Sequence, residues 1–179
     1  MTRSALLLRA VNVSGRNRVP MAELRALLAE RTELEEIATY IASGNIVCAT
    51  PPDVTAVCAT VRALIAESFG VDTPVIARSH REIERMLQRN PFVHSDIAEK
   101  LLHVMVLERA PKPGALDLLR ERLVPGEEVE LVGDDLWIHY SADGVHATKL
   151  TTSVLDRALG VSGTARNLRT MTKLAELTA

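Results

Sequence analysis

At 179 residues and 47% hydrophobic content, the chain can bury one core or two small, closely packed ones, and general disorder is excluded. A formal charge of −2 gives no overall basic footprint of a strong nucleic-acid binder, and 3% aromatic residues are too few for a single-strand stacking platform. Cys48 and Cys58 make no CxxC or zinc-like pattern and read as small core thiols of a reducing compartment.

The N-terminal apolar run is short and cut by Arg9, so it does not read as a signal peptide, and no stretch is long enough to span a bilayer. A soluble cytoplasmic protein is expected. The chain opens with Leu6-Leu7-Leu8, an apolar run continuing through Ala10, Val11 and Val13 that predicts a buried strand. Arg9 would place a charge in that strand, and such a charge needs a partner or a route to water. Asn12-Val13-Ser14-Gly15 signals a turn. Arg16-Asn17-Arg18-Val19 follows, and Pro20 suits the first turn of a helix carrying Leu24, Leu27 and Leu28.

Glu36 to Ile41 and Ile46 to Ala49 predict a hairpin around Ser43-Gly44-Asn45. Pro51-Pro52-Asp53 starts a second helix with Val57, Val61, Leu64, Ile65 and Phe69 at helical spacing, stopped by Gly70. Val71 to Ala77 is the next strand, and Thr73-Pro74 inside it favours a sheet edge. The order strand-helix-strand-strand-helix-strand is the split ferredoxin-like pattern. Ser79 with Glu82 suggests a capping box for a short helix ended by Asn90-Pro91, and Val93 to Glu99 reads as a connection.

The second half repeats this grammar. Leu101 to Leu107 is a strand, Lys112-Pro113-Gly114 leads into a helix, and Glu128 to Val132 and Leu136 to Tyr140 form a hairpin. Thr151-Thr152-Ser153 offers caps for a helix stopped by Gly160. No clear final strand follows, and a last helix carries Met171, Leu174 and Ala175. The expected fold is α+β, with two tandem ferredoxin-like halves, the second modified at its C-terminal end. The halves are expected over residues 1–78 and 101–179, joined by a helix and linker over 79–100.

Three pieces of the chain carry a family resemblance. They are Arg9-Ala-Val-Asn-Val-Ser-Gly-Arg-Asn-Arg-Val-Pro-Met21, Thr39-Tyr-Ile-Ala-Ser-Gly-Asn45, and Thr164-Ala-Arg-Asn167 with Thr170, Thr172, Lys173 and Leu174. In order and in kind they resemble the domain of unknown function 1697 family, with its R-G-I-N-V-G-G-K-N-x-V-P-M, T-Y-I-x-S-G-N and T-A-R-N-x-x-T-x-x-K-L. Ala10 and Ser14 stand where glycine is common there, and Leu168 where tryptophan is common. The resemblance implies no established activity.

Chemistry points to anions. A polar, glycine-containing loop with arginines ahead of a helix start offers free N–H groups and fixed positive charge, although its spacing matches neither GxxxxGK[ST] nor GxGxxG. The same loop also reads as a strand-to-helix connection with solvated arginines. Asn167 is placed either to cap the last helix or to share an anion site with Arg166 and Lys173. The candidate anion ligands are Arg9, Asn12, Arg16, Asn17, Arg18, Arg166, Asn167 and Lys173.

No catalytic constellation is visible. His80, His94, His103, His139 and His146 are scattered; His103 and His139 fall on strands where they could face each other, without carboxylates at metal-site spacing. Asp134 and Asp135 sit on a turn, and Trp137 reads as core. The expected function is binding of a phosphate-bearing small molecule or, with less support, a nucleic-acid backbone, with no cofactor and no membrane partner. The alternatives are an enzyme acting on a phosphorylated substrate and a structural or oligomerisation protein without a ligand.

Overall fold

The computed structural model describes residues 2–93 and 96–179. His94 and part of the connection expected after Phe92 lie outside the described residues. The fold is α+β and divides into two compact units, one comprising residues up to Glu84 together with Lys173–Ala179, the other Arg85–Thr172.

The first unit runs β1 (Arg3–Leu8), α1 (Met21–Arg31), β2 (Ala38–Tyr40), β3 (Asn45–Ala49), α2 (Val54–Phe69) and β4 (Val75–Ser79). Its antiparallel sheet has the order β2-β3-β1-β4. β1 is central, and Ala5 to Leu8 are all buried, which is why the strand reads as a continuous apolar run without alternation. Leu6, Leu8, Ile46 and Cys48 face Leu24 and Leu28 of α1 and Val61, Leu64 and Ile65 of α2. Burial pushes the Cys48 thiol up to about 11 and also raises that of Cys58, so both stay protonated.

Local signals fix the ends of several elements. Asp53 accepts a hydrogen bond from the Ala56 N–H at 2.9 Å and opens α2, and Gly70 closes it at φ +67°. β2 is shorter than its apolar run suggests, being flanked by Glu36 and Ile41, both in the left-handed region. β1 also ends earlier than the sequence suggests. Arg9 lies just after it, half-buried, so no charge interrupts the strand. Pro20 precedes α1 at φ −66°, ψ 122° and stands outside the helix. The capping box is formed: Glu82 accepts from the Ser79 N–H at 2.7 Å, and the Ser79 hydroxyl accepts from the Glu82 N–H at 3.4 Å. It opens α3 (His80–Gln88).

The second unit runs β5 (Leu102–Leu107), α4 (Ala115–Arg120), β6 (Glu128–Val132), β7 (Asp135–His139), α5 (Thr152–Leu159) and β8 (Gly163–Asn167), and α6 (Leu168–Thr178) follows. Its sheet has the order β6-β7-β5-β8, also antiparallel. Met105, Leu107, Leu136 and Ile138 pack on Leu119 of α4 and Leu155 and Leu159 of α5. Thr151 accepts from Val154 N–H to open α5, and Gly160 closes it at φ +66°.

The last strand of the second half, expected to be weak or absent, is present, which corrects that expectation. β8 pairs with β5 from Leu107↔Gly163 to His103↔Asn167. Thr-Ala-Arg-Asn shows no apolar alternation, so the strand is made by pairing with a buried neighbour. Gly163 permits the approach, because a Cβ there would lie 2.5 Å from Leu107 Cδ2. His103 and His139 do not face each other: His103 is opposite Ile138 and His139 opposite Leu102, so their side chains leave opposite sheet faces. His103 packs edge-on against Tyr140 at 4.9 Å.

Candidate functional site

The loop between β1 and α1 is built on left-handed residues. Ala10, Asn12, Ser14 and Asn17 have φ between +50° and +54°, and Gly15 has +74°. Val13 to Arg16 forms a tight turn, with the Arg16 N–H donating to Val13 O at 2.9 Å and positive φ at both central residues. Asparagine tolerates such a backbone, whereas alanine and serine are strained in it. Positions 10 and 14, where the family pattern has glycine, are thus the positions whose backbone suits glycine.

Asn12 is the clip of this loop. Its Nδ2 donates to Val19 O at 2.9 Å and to Ala42 O at 2.7 Å, and its Oδ1 accepts from the Val19 N–H at 2.8 Å. The Asn12 N–H donates to Asn17 O at 2.9 Å, and Asn17 Nδ2 donates to Ala10 O at 2.9 Å. Both amides are therefore occupied in shaping the loop. Arg9 is held through its backbone: its N–H donates to Thr73 Oγ1 at 3.0 Å, and its carbonyl accepts from the same hydroxyl at 2.7 Å.

The Ser43-Gly44-Asn45 turn lies directly beside this loop, a proximity that the sequence left open. Leu8 N–H donates to Gly44 O at 2.8 Å. Gly44 has φ +82°, and a Cβ there would stand 2.7 Å from both Leu8 Cβ and Val11 Cγ2. Buried Asn45 donates to Tyr40 O at 3.0 Å. Two of the three family-like pieces therefore converge within the first unit.

Between them opens a cleft of ≈ 570 Å³, lined by Asn12, Arg18, Val19, Pro20, Met21, Thr39, Ile41 and Ala42. It sits at the start of α1, where Pro20 supplies no side-chain cap and Leu24 N–H to Pro20 O is the first helical bond. The first-turn N–H groups carry the positive end of the helix, and the same turn holds the carboxylate of Glu23. Arg16 and Arg18 are exposed, and neither has an ion-pair partner among the described residues. Thr39 receives a hydrogen bond from Arg25. No carboxylate, histidine or cysteine is among the described residues lining the cleft, so its wall offers neither a general base nor a thiol. A larger hollow of ≈ 690 Å³ beside the end of α1 and the start of α2 contains no candidate residue, and its Asp53 is engaged as a cap.

The third cluster is used differently. Arg166, in the second unit, is buried; its Nη1 donates to Thr164 Oγ1 at 2.7 Å and to Ala165 O at 2.9 Å. Burial pulls its guanidinium down to about 10, which leaves it charged at neutral pH. Asn167 caps α6, its Oδ1 accepting from the Thr170 N–H at 2.9 Å. Lys173, assigned to the first unit, donates to Glu176 at 2.7 Å, and this partner raises its pKa. Sequence reasoning missed the Thr39–Ala42 wall of the cleft, although the family-like piece there pointed to it. It also missed the buried, unpaired Glu127 Oε1, Trp137 Nε1 and Ser141 Oγ of the second unit, for which periodicity carries no signal.

An α+β protein with two four-stranded antiparallel sheets and an open cleft at the start of α1 is the class these observations define. The chain belongs to the family described as protein of unknown function (DUF1697), whose profile matches residues 1–137. Its fold is similar to that of a conserved bacterial protein from Streptococcus pneumoniae, with a TM-score of 0.75 at 23% identity over 99% of each chain. Among curated proteins, none matches the chain. No described helix is long and apolar enough to cross a membrane.

Proposed function

We propose that the first unit binds a phosphate-bearing small molecule in the cleft at the start of α1, within a pair of ferredoxin-like halves. The ferredoxin-like reading is supported by the strand-helix-strand-strand-helix-strand order of each unit, with the first strand central in both sheets. The observation that carries the binding reading is Arg18, an exposed cation without a partner among the described residues, beside the uncapped first turn of α1. Arg16 adds charge from the neighbouring turn, and Asn12 and Asn17 hold the loop in place. Arg9, Arg166, Asn167 and Lys173 each have interactions elsewhere and are not needed as ligands. The absence of a general base among the described lining residues favours binding over turnover.

The test is thermal unfolding against inorganic phosphate, sugar phosphates, nucleotides and short RNA at low and moderate salt. A ligand at a hundred times its dissociation constant stabilises by about 2.7 kcal/mol. A selective shift that vanishes in Arg18→Ala supports the site. A shift only with RNA, lost at moderate salt, moves the reading to a nucleic-acid backbone. No shift anywhere favours the structural alternative, which draws support from the three bonds of the Asn12 amide.

A further inference from the structure

Two surfaces away from the α1 cleft, one on each unit, carry opposite charge around apolar residues. The hollow of ≈ 690 Å³ in the first unit is lined by Leu34, Pro51 and Pro52, and by three carboxylates, Glu33, Glu35 and Asp53, against one arginine, Arg31. Arg31 is paired with Glu67 at 3.8 Å, and Asp53 is engaged as a helix cap. Exposed Glu33 and Glu35 have no ion-pair partner among the described residues.

The second unit shows the reverse. A groove of ≈ 310 Å³ between α4 and α5 is lined by three cations, Lys112, Arg122 and Arg157, against one carboxylate, Glu121. Lys112 Nζ donates to Arg157 O at 2.7 Å, whereas the exposed guanidinium groups of Arg122 and Arg157 have no ion-pair partner among the described residues. Leu118 lines the same groove and is 44% exposed. α4 buries Ala115 and Leu119, so Leu118 falls outside its buried face and does not join the core.

We infer that these surfaces are the two halves of one interface between copies of this chain. Leu118 of one copy enters the hollow of the next, and Arg122 and Arg157 meet Glu33 and Glu35. The net charge of −2 gives the molecule no general field of either sign, so the matched partner for each patch is the opposite patch, which every copy carries. A small anion would cover the arginines and leave Leu118 in water. The contact is heterologous, since each copy offers one surface of each kind, and it repeats into a ring or an open chain. It uses no residue of the α1 cleft and stands apart from the anion reading.

Sedimentation velocity of the full chain over a range of concentrations, at low and high salt, tests this. Association is expected to grow with concentration and to weaken with salt. Glu33→Lys with Glu35→Lys should weaken it by about a hundredfold, because like charges then face each other, and Arg122→Glu with Arg157→Glu should do the same. All four positions are exposed, so both variants should keep the wild-type Tm. Mixing the two charge-reversed proteins should restore association, since a basic hollow then meets an acidic groove. Leu118→Ser should weaken association by about tenfold, the loss of one covered apolar side chain. A monomer at every concentration, association indifferent to charge reversal, or charge-reversed proteins that stay apart on mixing would each overturn the inference.

Discussion

Arg18 and Arg166 occupy equivalent places in the argument from sequence, since each is an arginine inside a family-like piece next to a helix start. In the folded chain they are opposites. Arg18 follows a left-handed Asn17 and stands at the surface beside an open cleft. Arg166 is paired through β8 to the central strand β5, opposite Val104, and its side chain is buried and bonded to Thr164 and Ala165. A buried charge must be satisfied within the fold, whereas an exposed one remains available. Burial therefore separates an arginine open to solvent from one enclosed by the fold.

The contrast can be tested first where the two motif pieces beside Arg18 meet. Gly44→Ala combines a left-handed alanine with contacts to Leu8 and Val11 and should cost about 2–5 kcal/mol, read by denaturant unfolding. A near-neutral result would mean that the two motif pieces do not pack as described. The two arginines should next diverge. Arg166→Ala should lose about 2–3 kcal/mol through its charge-assisted bonds, whereas Arg18→Ala should stay within about 0.5 kcal/mol and lose only ligand response. The reverse order would break the comparison outright.

Ala10→Gly should stabilise by about 0.5–1 kcal/mol, because relief of positive-φ strain outweighs the added freedom of the unfolded chain. A loss of Tm would show that the Ala10 methyl makes a contact that matters more than its backbone. The smallest expected effect is a slope with pH. Burial lowers the pKa of His103 from its ordinary 6.5. The folded state then takes up fewer protons than the unfolded one, so stability is full above the unfolded value and declines as pH falls below it. His103→Phe, which keeps an aromatic ring against Tyr140, should flatten that slope in unfolding curves taken between neutral and mildly acidic pH.

Much of the fold was legible because its signals are local. Asp53, Gly70, Ser79 with Glu82, Thr151 and Gly160 each mark a helix end by hydrogen bonding or by positive φ, and each does so in the structure. Asp135, read as a turn residue, instead opens β7 and accepts from the Leu107 N–H at 3.0 Å, a role set by a strand 28 positions away. β8 was hidden for the same reason. Its residues lack alternation, and only their partner on β5 makes them a strand.

By itself the sequence determined the α+β class, the repeated element order up to but not including β8, and the polar character of the loop before α1, because periodicity, caps and turn residues act over a few positions. Tertiary structure alone decided that the Ser43–Asn45 turn meets that loop, that Asn12 binds Ala42, and that Arg18 is exposed and Arg166 buried. Those outcomes depend on strand pairing and burial between residues far apart in the chain, and no local pattern encodes them.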